Sequence, residues 1–431
     1  MFVRTGENGP LYYLILRFWI ALTGTSEYAV RYLSLLAGVL VVPLSYAVGT
    51  RLVDRRTGCV AAAMAAGAPY LIWYAQDAKM YALVAALSLT STYLLIRAAH
   101  KNRWSLWTAY LVATSLGFYL HLFGAFLAAG QALAYLATWR WHPGSLRRWL
   151  TALAGLTLPY LPLAVWQLPT FVQAPPMAHA FVPLPTLLRI LLNRFSINHE
   201  MWPAWWVIAP FVILAILGLA RLVADAAEGR IWLLVWLWAP ILIVFLLSLR
   251  LPVFRDRYLT IVAPAYFLVL AAGLTWIFPA ARRPWSSGVG WRVVAGIGLS
   301  LSLTGASVYA LSRGPLSRTD FRGAAAFYAA HREPGDAVGF EATYAARPFL
   351  WYAPPDTAAV ELPFTSGGMP PSEVDAILAQ TTAGYRRLWL VEHEEWLWDN
   401  RRLVRGWLDR HGRLDRVAEF SGVRVSLFRL R

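Results

Sequence analysis

In the stretch WYAQDAKMYAL, residues 73–83, an acid and a base stand two positions apart between long apolar runs. Asp77 could orient or deprotonate a hydroxyl, and Lys79 could neutralise an anion. Gln76 and Tyr81 flank the pair and add hydrogen-bonding capacity. Charge beside apolar sequence is costly, which makes such residues functional candidates. The structural alternative is that Asp77 and Lys79 pair and cap the following helix. A second group is FRDRYL, residues 254–259. Arg255 and Arg257 could grip a phosphate through guanidinium forks, or simply snorkel at a membrane interface. Tyr258 could belong to the site or to an aromatic belt. His121, in FYLHLFGAF, sits between two further apolar runs and is either a catalyst or an ordinary hydrogen-bonding group.

The elements that position these residues are membrane helices. The chain has 431 residues, 58% of them hydrophobic and 14% charged. Its mean hydropathy is +0.49. Ten runs are long and apolar enough to span a bilayer: 27–50, 58–75, 80–97, 104–120, 122–139, 149–168, 204–222, 231–249, 258–277 and 292–312. Backbone polar groups in lipid must be satisfied within the segment, so these are helices rather than strands. Residues 1–26 contain a shorter apolar stretch interrupted by Arg17, suited to a helix lying at the interface.

Alternate loops are rich in arginine. One set, RLVDRR, RAAHKNR, RWHPGSLRR, RLVADAAEGR and ARRPWSSGVGWR, carries 14 Lys and Arg; the other set carries 8 in more sequence. The positive-inside rule places the first set in the cytoplasm. Asp77, His121, FRDRYL, the segment 169–203 with Glu200, and the C-terminal part then face outward. Residues 313–431 read as a small α/β domain: a helix in DFRGAAAFYAAHR, strands in EPGDAVGF and YRRLWLVE, a helix over 396–411, and a closing strand pair, RVAEF-SG-VRVSLF. This domain holds 16 Lys and Arg against 15 Asp and Glu, so nearly all of the net charge of +16 lies in the membrane part. That argues against nucleic acid as a partner. The single cysteine, Cys59, allows no internal disulfide. No metal-spaced cluster, phosphate-binding glycine loop or nucleophile elbow is present, and the sequence leaves any need for a divalent metal open.

Taken together, these segments resemble a family. IWYAQDAKMYAL is similar to the recurrent Tyr-Ser-Gln-Glu-Ala-Arg-x-Tyr-Ala-Leu segment of bacterial membrane glycosyltransferases of the GT-C class, which include protein O-mannosyltransferases and aminoarabinose transferases. GPLYYLILRFWIALTGTSEYAVRYLSLLAG, FYLHLFGAF, RYLTIVAPAYFLVLAAGL and DFRGAAAFYAAHREPGDAV resemble further family segments in the same order. The resemblance covers nearly the whole chain. It implies a polytopic helical protein of the cytoplasmic membrane with an outward α/β domain. It also implies a polyprenyl-phosphate sugar as donor and a protein, lipid or glycan as acceptor. Asp77 would act in catalysis, with Lys79, Tyr81, Gln76, His121, Arg255, Arg257, Tyr258, Glu7 and Tyr12 around the substrates.

The chain departs from the family in three places. Asp77 replaces Glu and Lys79 replaces Arg, keeping the charges but losing the bidentate fork. Asn8 and Gly9 in ENGPLYY stand where His and Pro are common. The family also has one further helix upstream, followed by an Asp-Glu pair; the expectation here is a truncated gene model. Two other readings remain, a non-catalytic protein that binds lipid-linked sugar, and a transporter. Transport is disfavoured because charges gather at one face rather than at midspan.

Overall fold

The computed structural model describes residues 9–173, 181–198, 205–224, 227–250, 254–277 and 319–431. Glu7, Glu200, Asp225 and the apolar run 292–312 lie outside the described residues. The chain divides into two compact units, Met1–Ser312 and Arg313–Arg431.

The first unit is helical. Its elements are α1 (Leu11–Thr23), α2 (Glu27–Leu52), α3 (Arg55–Gly67), α4 (Pro69–Ala75), α5 (Tyr81–Lys101), α6 (Trp104–Leu120), α7 (Gly124–Thr138), α8 (Leu146–Gln173), α9 (Leu184–Ile197), α10 (Trp205–Ala224), α11 (Glu228–Ser248) and α12 (Ala263–Ile277). Among the described residues, five helices are long and apolar enough to cross a bilayer, or six if α3 and α4 count as one broken span. The run expected at 58–75 is therefore not a straight helix. Pro69 cannot donate into the helix and forces Ala68 into an extended conformation, so α3 and α4 meet at 59°. The run expected at 258–277 also changes character, opening as a 3-10 turn over Asp256–Ile261 before α12 begins. The expected loop 169–203 contains α9 and the end of α8.

Local chemistry sets the helix starts. Ser26 caps α2 by accepting from Ala29 N at 3.2 Å, and Asp54 caps α3 by accepting from Thr57 N at 2.8 Å. Close packing joins α10 to α12: an added Cβ at Gly218 would lie 2.0 Å from Val269 O, and one at Gly273 would lie 2.2 Å from Leu214 O.

Among the described residues, four of the arginine-rich loops contact one another. Arg221 reaches Asp54 at 2.7 Å, His100 Nε2 meets Glu228 at 2.9 Å, His142 meets the same carboxylate at 3.4 Å, and Asn102 donates to Gly144 O at 2.9 Å. Contacts of the other loops form a separate set: Arg194 with Asp256 at 3.1 Å, Gly9 N with Leu120 O at 2.9 Å, and His121 beside Tyr258. Each of these contacts joins segments of the same loop class. Leu158, Leu161, Val165, Ile213, Ile216 and Leu246 are exposed apolar side chains on the helices, as lipid-facing positions require.

The second unit is an α/β sandwich. Its strands are β1 (Ala337–Phe340), β2 (Ala358–Glu361), β3 (Arg387–Glu392), β4 (Gly412–Phe420) and β5 (Val423–Leu430), in the order β2-β1-β3-β5-β4. β1 runs parallel to β2 and β3; β5 runs antiparallel to β3 and β4. Side chains alternate across the sheet with period two. Val338, Phe340, Trp389, Val391 and Leu427 pack with the helices Phe321–His331 and Thr343–Tyr352. Ala337, Leu388, Leu390 and Phe428 pack on the other face, with the helices Pro371–Thr382 and Leu403–His411. Asp320 caps the first of these helices through Gly323 N at 2.8 Å. The helix expected over 396–411 is two pieces, Glu395–Trp398 and Leu403–His411, because Arg402 takes a left-handed conformation with φ 53°.

Glu341, directly after β1, is 1% exposed, and neither of its carboxyl oxygens has a hydrogen-bond partner among the described residues. Burial, reinforced by Asp399, Glu392 and Glu395 and only partly offset by Arg405, pushes its pKa up to about 9. The folded domain keeps this proton through neutral pH, whereas the unfolded chain loses it near the ordinary carboxyl value. The group therefore costs nothing below that value and destabilises the fold increasingly as pH rises toward 9. Between the ordinary carboxyl value and neutrality the loss is roughly 3 kcal/mol. Hydrogen exchange of β1 and β3 amides in the full-length protein should show this loss, and Glu341→Gln should flatten it. An unchanged pH slope in the variant would assign the effect elsewhere.

The candidate active site

The site lies where the ends of α4, α5, α6, α9 and the 254–261 segment converge. Its wall is aromatic. Tyr70 meets Tyr74 with ring centroids 4.8 Å apart, Tyr74 meets Tyr81 at 4.8 Å, and Tyr70 meets Phe195 of α9 at 4.9 Å. Tyr258 stacks on Phe123 at 4.8 Å and lies 5.3 Å from the His121 ring. Tyr81 lies 6.0 Å from that ring. Three aromatic side chains, Tyr81, Phe123 and Tyr258, thus flank the His121 ring, which leaves little room for water beside it.

Arg257 enters this enclosure beside Tyr258, its guanidinium carbon 5.6 Å from the ring centroid, with Tyr81, Tyr74 and His121 as electrostatic neighbours. Its Nε is buried without a hydrogen-bond partner among the described residues. His121 is 2% exposed. Phe123 N–H donates to its Nδ1 at 3.2 Å, which assigns the remaining ring proton to Nε2 in the neutral imidazole. Nε2 too is buried and without a partner among the described residues. Two donors on adjacent side chains therefore await an acceptor, and buried polar groups in that state are uncommon.

The 3-10 turn that carries Arg257 is held from three sides. Thr260 donates to Arg257 O at 2.6 Å, the Tyr70 hydroxyl donates to Thr260 Oγ1 at 2.9 Å, and Asp256 pairs with Arg194 of α9 at 3.1 Å. Asp256 is thereby committed to Arg194. Arg255, half-buried, lies in the same turn.

Asp77 and Lys79 lie in the short turn between α4 and α5. Asp77 N donates to Tyr74 O at 3.2 Å, and its carboxylate interacts electrostatically with Tyr12 and Tyr13. Helix α5 starts at Tyr81 behind Met80, with no side-chain cap. Asp77 is half-buried in that turn, and Met80, the residue directly before α5, offers no side-chain cap. Tyr12 is fully buried and donates to Ser34 at 2.9 Å; Ser34 in turn donates to Lys79 O at 3.0 Å. The Lys79 ammonium side chain and Gln76 are exposed. Gly9 packs against the same end: its N–H donates to Leu120 O at 2.9 Å, and a Cβ there would lie 1.9 Å from Tyr119 O. A proline at this position could make neither contact, which gives this departure from the family pattern a local reason.

The structure thus brings together Asp77, Tyr12, Tyr81, His121, Arg257 and Tyr258, with the Lys79 backbone in the same network. Sequence reading missed Tyr70, Tyr74, Ser34, Arg194 and Thr260. The available signal was NRFSIN, residues 193–198, where polar groups interrupt an otherwise apolar α9. No group of three or more His, Cys, Asp or Glu suited to a metal occurs among the described residues.

The architecture can be placed among solved structures. It superposes on ArnT from Cupriavidus metallidurans bound to undecaprenyl phosphate with a TM-score of 0.60 at 12% identity, covering 98% of this chain and 88% of that one. The chain has a GT-C fold. A second GT-C structure, the oligosaccharyltransferase AglB from Archaeoglobus fulgidus in complex with an inhibitory peptide and a dolichol-phosphate, matches with a TM-score of 0.56 at 12% identity over 98% of this chain and 66% of that one. The apo form of the Archaeoglobus fulgidus enzyme gives 0.55, also at 12% identity, over 93% of this chain and 63% of that one. Residues 7–166, the part of the GT-C fold that holds Tyr12, Asp77 and His121, match the dolichyl-phosphate-mannose-protein mannosyltransferase family. No curated protein sequence matches the chain.

Proposed function

We propose that this protein is a membrane glycosyltransferase that moves a sugar from a polyprenyl-phosphate donor to an acceptor at the outer face of the cytoplasmic membrane. The observation that carries this reading is a pair of buried donors without partners among the described residues, Arg257 Nε and His121 Nε2, on electrostatically coupled side chains that both neighbour Tyr258. A phosphate oxygen supplies the acceptor both lack, and charge-assisted bonds to it are strong at a partly dry site. The GT-C fold and the family match support the same reading.

In the proposed reaction the bond between the sugar's anomeric carbon and the phosphate oxygen breaks, and a bond from that carbon to the acceptor forms. Arg257 and His121 stabilise the charge that grows on the departing phosphate. Lys79 adds a cation at the exposed edge. Asp77 orients the acceptor and takes its proton, or holds the sugar hydroxyls, from its place beside Tyr12 and Tyr13. The acceptor belongs to the class of protein, lipid or glycan.

Binding of a short-chain polyprenyl phosphate should be at least about tenfold tighter than binding of the matching polyprenol, the difference expected for one charge-assisted contact. Equal affinities, read by thermal shift of the detergent-solubilised protein, would remove phosphate from the account. Sidedness has its own test. A reporter enzyme active only in the cytoplasm, fused after Arg431, should be silent; strong activity would invert the orientation and move the proposed site to the cytoplasmic face.

A further inference from the structure

The C-terminal domain has an open sheet in which the connection after β1 runs outward to β2 and the next crosses back to β3 on the other side. The helix following β1 packs on one face, and the helices following β2 and β3 pack on the other. β1 and β3 are therefore the strands between which the winding reverses. In open α/β sheets, ligands bind in the crevice beyond the carboxyl ends of such a strand pair.

The residues at that place are unlike ordinary loop residues. Glu341 ends β1 and is buried with both carboxyl oxygens unpartnered among the described residues. Trp398, in the segment after β3, has its indole Nε1 buried and likewise unpartnered. The other polar groups around them are engaged. Glu392 is gripped by Arg405 through contacts of 2.9 and 2.8 Å, Asp399 accepts from Leu403 N at 2.9 Å and Val404 N at 3.0 Å, Glu395 pairs with Arg402 at 2.6 Å, and Tyr344 bonds Glu394. What is left is one acceptor-rich carboxyl and one N–H donor. The carboxyl stays protonated at neutral pH, so it offers no negative charge to a cation. A hydroxyl group is the common chemistry that donates and accepts through one atom.

The rim is aromatic. Trp398 lies 5.6 Å from Tyr344 and 5.2 Å from Phe364, and Tyr344 lies 5.7 Å from His393. Tyr344 is 46% exposed and the neighbouring Trp396 66% exposed, so ring faces are open to solvent. The loops carrying them are braced: Thr365 N donates to Trp398 O at 3.1 Å, and the Thr365 hydroxyl bonds Asp399. Aromatic faces, a neutral carboxyl and an indole donor, all placed after the carboxyl ends of β1 and β3, suit a ring with apolar faces and equatorial hydroxyls.

We propose that this crevice is a second, non-catalytic carbohydrate-binding site, with Tyr344 as the stacking platform and Glu341 and Trp398 as partners for sugar hydroxyls. It stands on the soluble domain alone and does not depend on the activity proposed for the membrane site. The test uses the full-length protein in detergent with four neutral probes: glucose, mannose, galactose and xylose. Saturation-transfer NMR should show at least one of them bound with a dissociation constant of about 1–10 mM, a scale of only a few kcal/mol. Tyr344→Ala, at a half-exposed position, should weaken binding at least about tenfold while leaving the thermal unfolding of the protein cooperative. Glu341→Gln, which keeps a donor and an acceptor, should bind within a few fold of the parent. Arg257→Ala, in the membrane site, should leave this binding unchanged. No transfer from any probe would overturn the proposal, as would binding that survives Tyr344→Ala or disappears with Arg257→Ala.

Discussion

Asp77→Asn protein is expected to retain its fold and its affinity for donor while losing at least about a hundredfold in glycosyl transfer. The substitution keeps the shape and the hydrogen-bonding capacity of the side chain and removes its charge. A positioned acid or base is worth roughly two to four orders of magnitude in rate. A helix-capping role would predict a mild effect, since Asn caps about as well as Asp. The loss should fall on kcat more than on KM, as expected for an interaction made mainly in the transition state. Near-normal turnover by folded Asp77→Asn protein would sink the catalytic assignment.

Arg257→Ala should weaken binding of polyprenyl phosphate by about ten- to a hundredfold, the range for losing a hydrogen bond to a charged group. Arg189→Ala, on α9, should change it by less than about twofold. Arg257→Lys should recover only part of the affinity, because an ammonium cannot reproduce the guanidinium fork. A snorkelling arginine would give equal, small effects at both positions. The burial of Arg257 Nε among Tyr74, Tyr81 and Tyr258 argues against snorkelling, since that side chain turns into the protein rather than toward water. Affinity measured by thermal shift across a concentration series separates these outcomes.

Much of this arrangement was legible from residue types. Asp77, Arg257 and His121 stood out because ionisable groups are rare beside apolar runs, and the arginine pattern sorted the loops into two classes before any helix was placed. The closing strand pair and the helix of DFRGAAAFYAAHR were legible because alternation and an Asp cap act locally. Other features depended on tertiary context. Tyr70 and Tyr74 lay within the apolar run 58–75 with nothing to single them out; in the structure the break at Pro69 sets α4 against Tyr81 and Phe195. Helix α9 read as loop because Arg189 and Arg194 interrupt its apolar pattern; Arg194 is there to meet Asp256 from a segment far along the chain. Ser34 is one small polar residue in a long apolar helix, and only the fold shows that it ties Tyr12 to the Lys79 backbone. The break at Arg402 was hidden for the same reason: a left-handed non-glycine residue leaves no sequence signal, and Asp399 holds it by capping the helix that follows.

The most direct test of the account is release of polyprenyl phosphate from a radiolabelled polyprenyl-phosphate sugar by the purified protein in proteoliposomes, with membrane extract as the source of acceptor. The account predicts acceptor-dependent release of the lipid phosphate, matched by label appearing in the acceptor and abolished in Asp77→Asn and Arg257→Ala. Tight donor binding with no release under any acceptor supply would contradict it and leave a protein that holds lipid-linked sugar without transferring it.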